Sequence, residues 1–268
     1  MAEKTDPLIR FLLNRTHTRG AIIKGHHIHR TARETHGLSD GPAQLLGQTL
    51  VASILLLSLN KGGVRQVLQL DGKGGPAARV LAEARLGSVR GYMQWHDQAV
   101  SISKQPGELT WLGDTVTCST VRDLGFGSPY VSTIAAGSPF LADALVHYLA
   151  QSVQVRADIV LHGDTGLMIE AMPGCDDENW FESVKCMAGI SEATLEASPE
   201  TILEAFAPLE CKVVEKDNYI YRCDCKPEQM AEVLERLPAV ELNELADADG
   251  KITLSCRYCG KSYKIDQP

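Results

Sequence analysis

Hydrophobic positions set the reading of this chain. A short apolar face over residues 7–13, from Pro7 to Leu13, predicts an N-terminal helix. Leu45, Leu46, Val51, Ile54, Leu55 and Leu59 then recur at helical spacing, as on a buried helix over 44–59. Beyond residue 64 the period falls to two. Val67 and Gln69 alternate with Leu68 and Leu70, a strand stopped by the turn composition of Asp71-Gly72-Lys73-Gly74-Gly75-Pro76. Further strands are expected over 80–84, 89–94, 99–103, 115–121 and 130–135. A helix is expected over 139–151, with Ser138 as its N-cap, and a hairpin of 155–161 with 167–172 closes across His162-Gly163-Asp164-Thr165-Gly166. Many short strands with few helices between them give an α+β core, a mixed sheet-and-helix domain over 1–175, and not a parallel βαβ repeat.

After Pro173-Gly174 the texture becomes acidic and helical, with no strand expected before Tyr219. Trp180, Phe181, Val184 and Met187 sit at i, i+1, i+4 and i+7. Ser198-Pro199-Glu200 is a helix start with Ile202, Leu203 and Phe206 behind it, and Pro208 ends that helix. Residues 176–217 thus form a helical amphipathic linker, too apolar for a disordered tether and too short to own a core. Its apolar face must rest on something. Residues 218–268 follow as a small module: a strand through Tyr219-Ile220-Tyr221-Arg222, a helix from Pro227 that gathers Met230, Val233, Leu234 and Leu237, a helical turn at Leu242 and Leu245, and an Asp249-Gly250 turn into Lys251-Ile252-Thr253-Leu254. Some fifty residues rarely bury enough apolar surface to fold unaided, and a metal commonly makes up the deficit.

That module carries the candidate chemistry. Cys223 and Cys225 form one close pair and Cys256 and Cys259 another, the four tetrahedral sulfur ligands that Zn²⁺ favours, with Gly260 where the chain needs φ > 0 to fold back. The spacing leaves two readings open, a zinc staple and a redox device in which loss of metal leaves each pair poised to close a disulfide. Cys118, Cys175, Cys186 and Cys211 lie outside it, Cys118 being read as a buried strand thiol. The net charge of −8 and pI near 5.5 argue against nucleic acid as the main partner. The longest apolar stretch, 50–59, falls short of the ~20 residues that span a bilayer, and residues 1–6 do not begin a secretory signal. With eight cysteines and no leader, a cytoplasmic protein is expected. His26-His27-Ile28-His29 is read as a solvated loop and Gly72-Lys73-Gly74-Gly75 as a tight turn, since Ala77 stands where a phosphate loop needs its third glycine. No nucleophile elbow or H-E-x-x-H helix points to an enzyme.

The run Tyr221-Arg222-Cys223-Asp224-Cys225, the Lys226-Pro227-Glu228 helix start and the exit Cys256-Arg257-Tyr258-Cys259-Gly260-Lys261-Ser262-Tyr263 resemble the redox switch of the heat shock protein 33 family of holdase chaperones. Arg19-Gly20, Val67-Leu68-Gln69-Leu70-Asp71-Gly72, Val89-Arg90-Gly91 and Met172-Pro173 resemble its core domain in the same order. The resemblance implies an ATP-independent chaperone, not an enzyme, inactive while one Zn²⁺ per chain is held by Cys223, Cys225, Cys256 and Cys259. It implies activation by oxidants with disulfides Cys223 to Cys225 and Cys256 to Cys259, zinc release, a homodimeric oxidised form, and unfolding client proteins as partners, with neither nucleic acid nor membrane. Trp180, Phe181, Ile202, Leu203 and Phe206 are the linker residues then expected to meet clients. A thiol-disulfide oxidoreductase and a zinc-ribbon binding module are the alternatives.

Overall fold

The computed structural model describes residues 4–59, 62–96, 106–247 and 249–267; the strand expected over 99–103 lies outside them. The chain forms two compact units, Met1–Tyr221 and Arg222–Pro268. The first holds strands β1 (Asp6–Leu13), β2 (Thr18–Lys24), β3 (Arg65–Lys73), β4 (Ala77–Arg85), β5 (Ser88–Trp95), β6 (Thr115–Asp123), β7 (Tyr130–Ala135), β8 (Ala157–His162), β9 (Thr165–Ala171) and β10 (Cys211–Tyr221). Between them come helices α1 (His26–His36), α2 (Asp40–Ser58), α3 (Leu141–Tyr148), α4 (Asp177–Ala188), α5 (Glu192–Leu195) and α6 (Pro199–Glu204). The strands make one sheet in the order β7-β6-β3-β4-β5-β10-β1-β2-β9-β8, antiparallel except where β10 runs parallel to β5. The fold is α+β, as the mix of strands and helices predicts.

The end of the sheet containing β1, β2 and β9 is buried on both faces. Leu8 of β1, Ala21 and Ile23 of β2 and Met168 of β9 point into one core with α1 and α2; Ile9, Phe11 and Leu13, Ile22, and Leu167 and Ile169 point into the other, with α4 and α6. Such strands are apolar on consecutive residues instead of alternating. That is why residues 7–13, expected as a helix, are a strand. Helix α2 fills the first core with fourteen of its nineteen residues buried; among the described residues it is the one helix long and apolar enough to cross a membrane, and it serves as a core helix.

Three more readings are corrected. His26-His27-Ile28-His29 opens α1 and is no loop: Ile28 and Ala32 are buried at i and i+4, and the Asp6 carboxylate accepts the free N–H groups of His27 (3.1 Å) and Ile28 (2.7 Å) at the helix start. The N-cap of α3 is Phe140; Ser138 Oγ instead accepts from the Phe140 N–H and donates to Asp143. Strand β10 begins at Cys211, well before Tyr219, because the ladder to β1 holds it by its backbone although Lys212 to Lys216 are all exposed. The glycine-rich turn after β3 brings backbones together: a Cβ on Gly72 would lie 2.2 Å from the Leu112 carbonyl.

In the second unit, α7 (Pro227–Leu234) and α8 (Ala239–Leu245) precede the hairpin β11 (Lys251–Ser255) and β12 (Ser262–Asp266). Its core is small: Leu234, Leu242 and Ile252, edged by Leu237, Ala246, Leu254 and Ile265.

Candidate metal centre and the docked connector

Cys223 and Cys225 stand just before α7, and Cys256 and Cys259 bracket the tight turn between β11 and β12. In that turn the Cys256 N–H donates to the Lys261 carbonyl and the Gly260 N–H to the Cys256 carbonyl, both at 2.8 Å, with Gly260 at φ 71°, the left-handed region that favours glycine. The four sulfurs converge within 4.8 Å of one another, Cys223 to Cys256 at 3.7 Å and Cys225 to Cys259 at 3.4 Å. A tetrahedral ion with Zn–S bonds of about 2.3 Å requires sulfur separations of about 3.8 Å. The donor set fits zinc, the sulfurs needing shifts of no more than about 1 Å to equalise their spacing, and Cys256 is buried while the other three are partly so.

Backbone amides support the sulfurs: the N–H of Cys225 serves Cys223 and that of Lys261 serves Cys259. The Tyr263 hydroxyl lies 3.2 Å from Cys225 Sγ and 3.1 Å from the Cys225 carbonyl. Burial works against ionisation of Cys225, but the Tyr263 hydroxyl and the neighbouring thiols outweigh it and hold that thiol down at about 7. Burial, and donation of its own proton to its neighbours, pushes the Cys259 thiol up to about 12 and raises Cys223. The cluster therefore titrates as one unit, and a divalent cation favours the anionic form of every sulfur it touches. Arg222, next to the first pair, is paired with Asp224 at 3.1 Å. The role of Tyr263 was not legible in sequence, where it is one tyrosine among seven; its position opposite Leu254 in the hairpin aims it back at the first pair.

The connector helices lie on the second core of the large sheet. Ile202, Leu203 and Phe206 are buried there, and Phe206 packs on Phe11 with ring centroids 5.5 Å apart. Trp180 sits at the rim of that core, whereas Phe181 is 68% exposed. Asp176, Ser191 and Ser198 cap α4, α5 and α6 by accepting from Asn179, Thr194 and Thr201 N–H groups. Polar contacts add to the docking. Thr16, Thr18 and Ser183 form a fully buried hydroxyl triangle, 2.8 to 3.1 Å on a side, between the loop after β1, β2 and α4. Lys24 Nζ donates to the Glu196 and Ala197 carbonyls, and Thr165 Oγ1 donates to Leu195 at 2.8 Å. Cys186 Sγ donates to the Ala205 carbonyl at 2.9 Å; Cys118 is fully buried in β6, its thiol pushed up to about 12 by burial.

Comparison with known proteins agrees with this architecture. The chain is similar to the 33 kDa chaperonin of Lactobacillus delbrueckii subsp. bulgaricus, 29% identical over 91% of this chain and 89% of that one, and to the 33 kDa chaperonin of Geobacter sulfurreducens, 28% identical over 97% and 92%. Its fold matches the crystal structure of the 33 kDa chaperonin (heat shock protein 33 homolog) of Thermotoga maritima with a TM-score of 0.81, at 24% identity over 97% of this chain and 94% of that one. The sequence model of the family described as Hsp33 protein matches residues 6–266, nearly the whole chain, sulfur cluster included, and on that match the chain belongs to the Hsp33 family, one of chaperones and not of enzymes.

Proposed function

We propose that this protein is a redox-regulated, ATP-independent holdase of the cytoplasm that binds unfolding proteins under oxidative and heat stress. The observation that carries the reading is the four-sulfur cluster in a unit whose own core is three buried side chains. Such a unit depends on its metal: zinc contributes an apparent ~10–16 kcal/mol to small structural zinc peptides, more than a typical domain's whole stability. When bound, one Zn²⁺ would fix Cys223, Cys225, Cys256 and Cys259 as thiolates and tie the two ends of the unit together.

Thiolates are the oxidisable form of cysteine. Closing Cys223 to Cys225 and Cys256 to Cys259 removes two electrons per bond, each pair reducing one peroxide to two waters with two protons taken up. All four donors are then spent and the ion has no ligands left. Residues 218–268 lose their order, and the linker over 176–217 loses its docking in turn. Trp180, Phe181, Ile202, Leu203 and Phe206, with the sheet face beneath them, then meet the apolar segments of clients, and the active form is a homodimer. The docked connector supports this step because it covers a core of Ile9, Phe11, Leu13, Ile22, Leu167 and Ile169 that would attract unfolded chains.

The test is light scattering of an aggregating client with reduced and with peroxide-treated protein at elevated temperature, zinc release being followed in parallel by a chromogenic chelator. Suppression by the oxidised form alone, rising with zinc release, is expected. Equal suppression by both forms, or turnover of insulin disulfides, would refute the switch.

A further inference from the structure

Strand β10 is held unequally by its two neighbours. It is in register with β1 from Asp6↔Tyr219 to Leu13↔Cys211, whereas only Ile220 and Tyr221 reach β5. Its side chains contribute little: Lys212 to Lys216 are exposed and Tyr219 is the one buried residue, while Leu8, Ile9, Phe11 and Leu13 of β1 are buried. A register shift between Arg10 and Phe11 leaves Val214 without a partner. What fastens β10 is its backbone ladder, the partly exposed pairs of Arg10 with Glu215 (2.7 Å) and Asp217 (2.8 Å), and a pin at its far end where the Tyr221 hydroxyl donates to the Gly91 carbonyl at 2.8 Å. Its near end follows the connector directly: Lys216 pairs with Glu200 of α6, and Glu210 accepts from the Asn14 N–H.

A ladder of backbone bonds accepts any extended segment, whatever its sequence, and side-chain pockets beside it set the preference. Such a pocket adjoins the register shift: a cleft lined by Phe11, Leu12, Leu59 and Met168, with Arg10 and Arg19 beside them and Val214 and Glu215 of β10 along one wall. It is mostly apolar. Most of β10 is exposed, and five of its eleven residues, Lys212 and Glu215 to Asn218, are polar or charged; it has the character of a solvated cover laid over an edge that would otherwise recruit other strands.

We propose that β10 is a removable cover strand, and that after the connector lets go the edge of β1 takes an extended apolar segment of an unfolding polypeptide in its place, by antiparallel strand addition. This rests on the chaperone reading and specifies how a client is held: by main-chain bonds along Asp6–Leu13, with apolar side chains entering the cleft.

Hydrogen–deuterium exchange on the full-length, peroxide-treated protein tests it, with and without thermally unfolding citrate synthase. Without client, amides of both β1 and β10 should exchange at least about tenfold faster than in the reduced protein. With client, β1 should regain protection and β10 should not. Aggregation suppressed while β10 stays protected would overturn the proposal and leave the chaperone reading standing. Joint reprotection of β1 and β10 would also overturn it, showing β10 of the same or a second copy back in place. No suppression of aggregation at all would instead remove the chaperone reading. As a second measurement, Lys212→Pro and Val213→Pro are compared in the reduced, zinc-loaded protein. Neighbouring residues of a strand direct their N–H groups to opposite edges, so one of the two removes a donor to β1. That one should suppress aggregation without oxidation and with zinc retained; suppression by neither would overturn the proposal.

Discussion

Replacing Phe206 by alanine probes what keeps the connector docked. The ring is fully buried, stacks on Phe11 at 5.5 Å with a 34° tilt, and occupies the centre of the core between α6 and the sheet. Truncating a buried phenylalanine costs about 3–5 kcal/mol, and the aromatic pair is part of that loss. Because Phe206 leaves its site whenever the connector detaches, nearly all of this cost falls on the docking equilibrium. At 1.4 kcal/mol per decade, even 3 kcal/mol raises the detached population roughly a hundredfold. Exchange of the α4, α5 and α6 amides in the reduced, zinc-loaded protein should rise by that factor, and client aggregation should be suppressed without oxidant. Phe181→Ala, on the same connector but 68% exposed, is the control, with an effect within about 0.5 kcal/mol. Equal responses from the two variants, or unchanged exchange in Phe206→Ala, would refute the reasoning.

Three further outcomes are expected. Ser183→Ala leaves Thr16 and Thr18 short of a buried partner and should cost about 1–3 kcal/mol in a urea melt, whereas combining it with Thr16→Val and Thr18→Val should recover much of the loss. His29 is buried against Gly47, and burial, outweighing nearby Asp164, holds its pKa down at about 4 from 6.5; the unfolded chain therefore takes the proton first, so stability falls as pH drops below 6.5 and is down by about 3 kcal/mol at pH 4, a loss that melts across this range should find reduced in His29→Asn. Chelation of zinc should abolish the order of residues 222–268 while leaving the large sheet intact, which limited proteolysis and circular dichroism will report; an unchanged proteolytic pattern would contradict a metal-dependent unit.

The sequence was most legible where one physical effect dominated. Gln44 to Leu59 is apolar at helical spacing and is a helix; Val67 to Leu70 alternates and is a strand; two close cysteine pairs converge on one point because so few residues separate the members of each. It misled where burial came from two sides. Leu8 and Ile9 face different cores, so β1 shows no alternation, and Asp6 caps α1 from a position that local pattern cannot connect to His27. Only the end of β10, from Tyr219, was legible; its first eight residues escaped notice for the opposite reason: their side chains are largely solvated, and only their register with β1, some two hundred residues away, makes them a strand. Tyr263 and the Thr16, Thr18 and Ser183 hydroxyls likewise owe their roles to partners brought from distant segments.

The place of β10 in the strand order bears on how the protein is made. Every other strand of the large sheet has been synthesised before β10 emerges, yet β10 is the piece that joins the β1 side to the β5 side. At typical translation speeds of about 5–20 residues per second, the nascent polypeptide spends on the order of six to twenty-five seconds between the end of β5 and the end of β10 with those two borders unmatched. Each newly born molecule thus passes, on the ribosome, through an interval of self-exposed stickiness that ends only when its last quarter arrives.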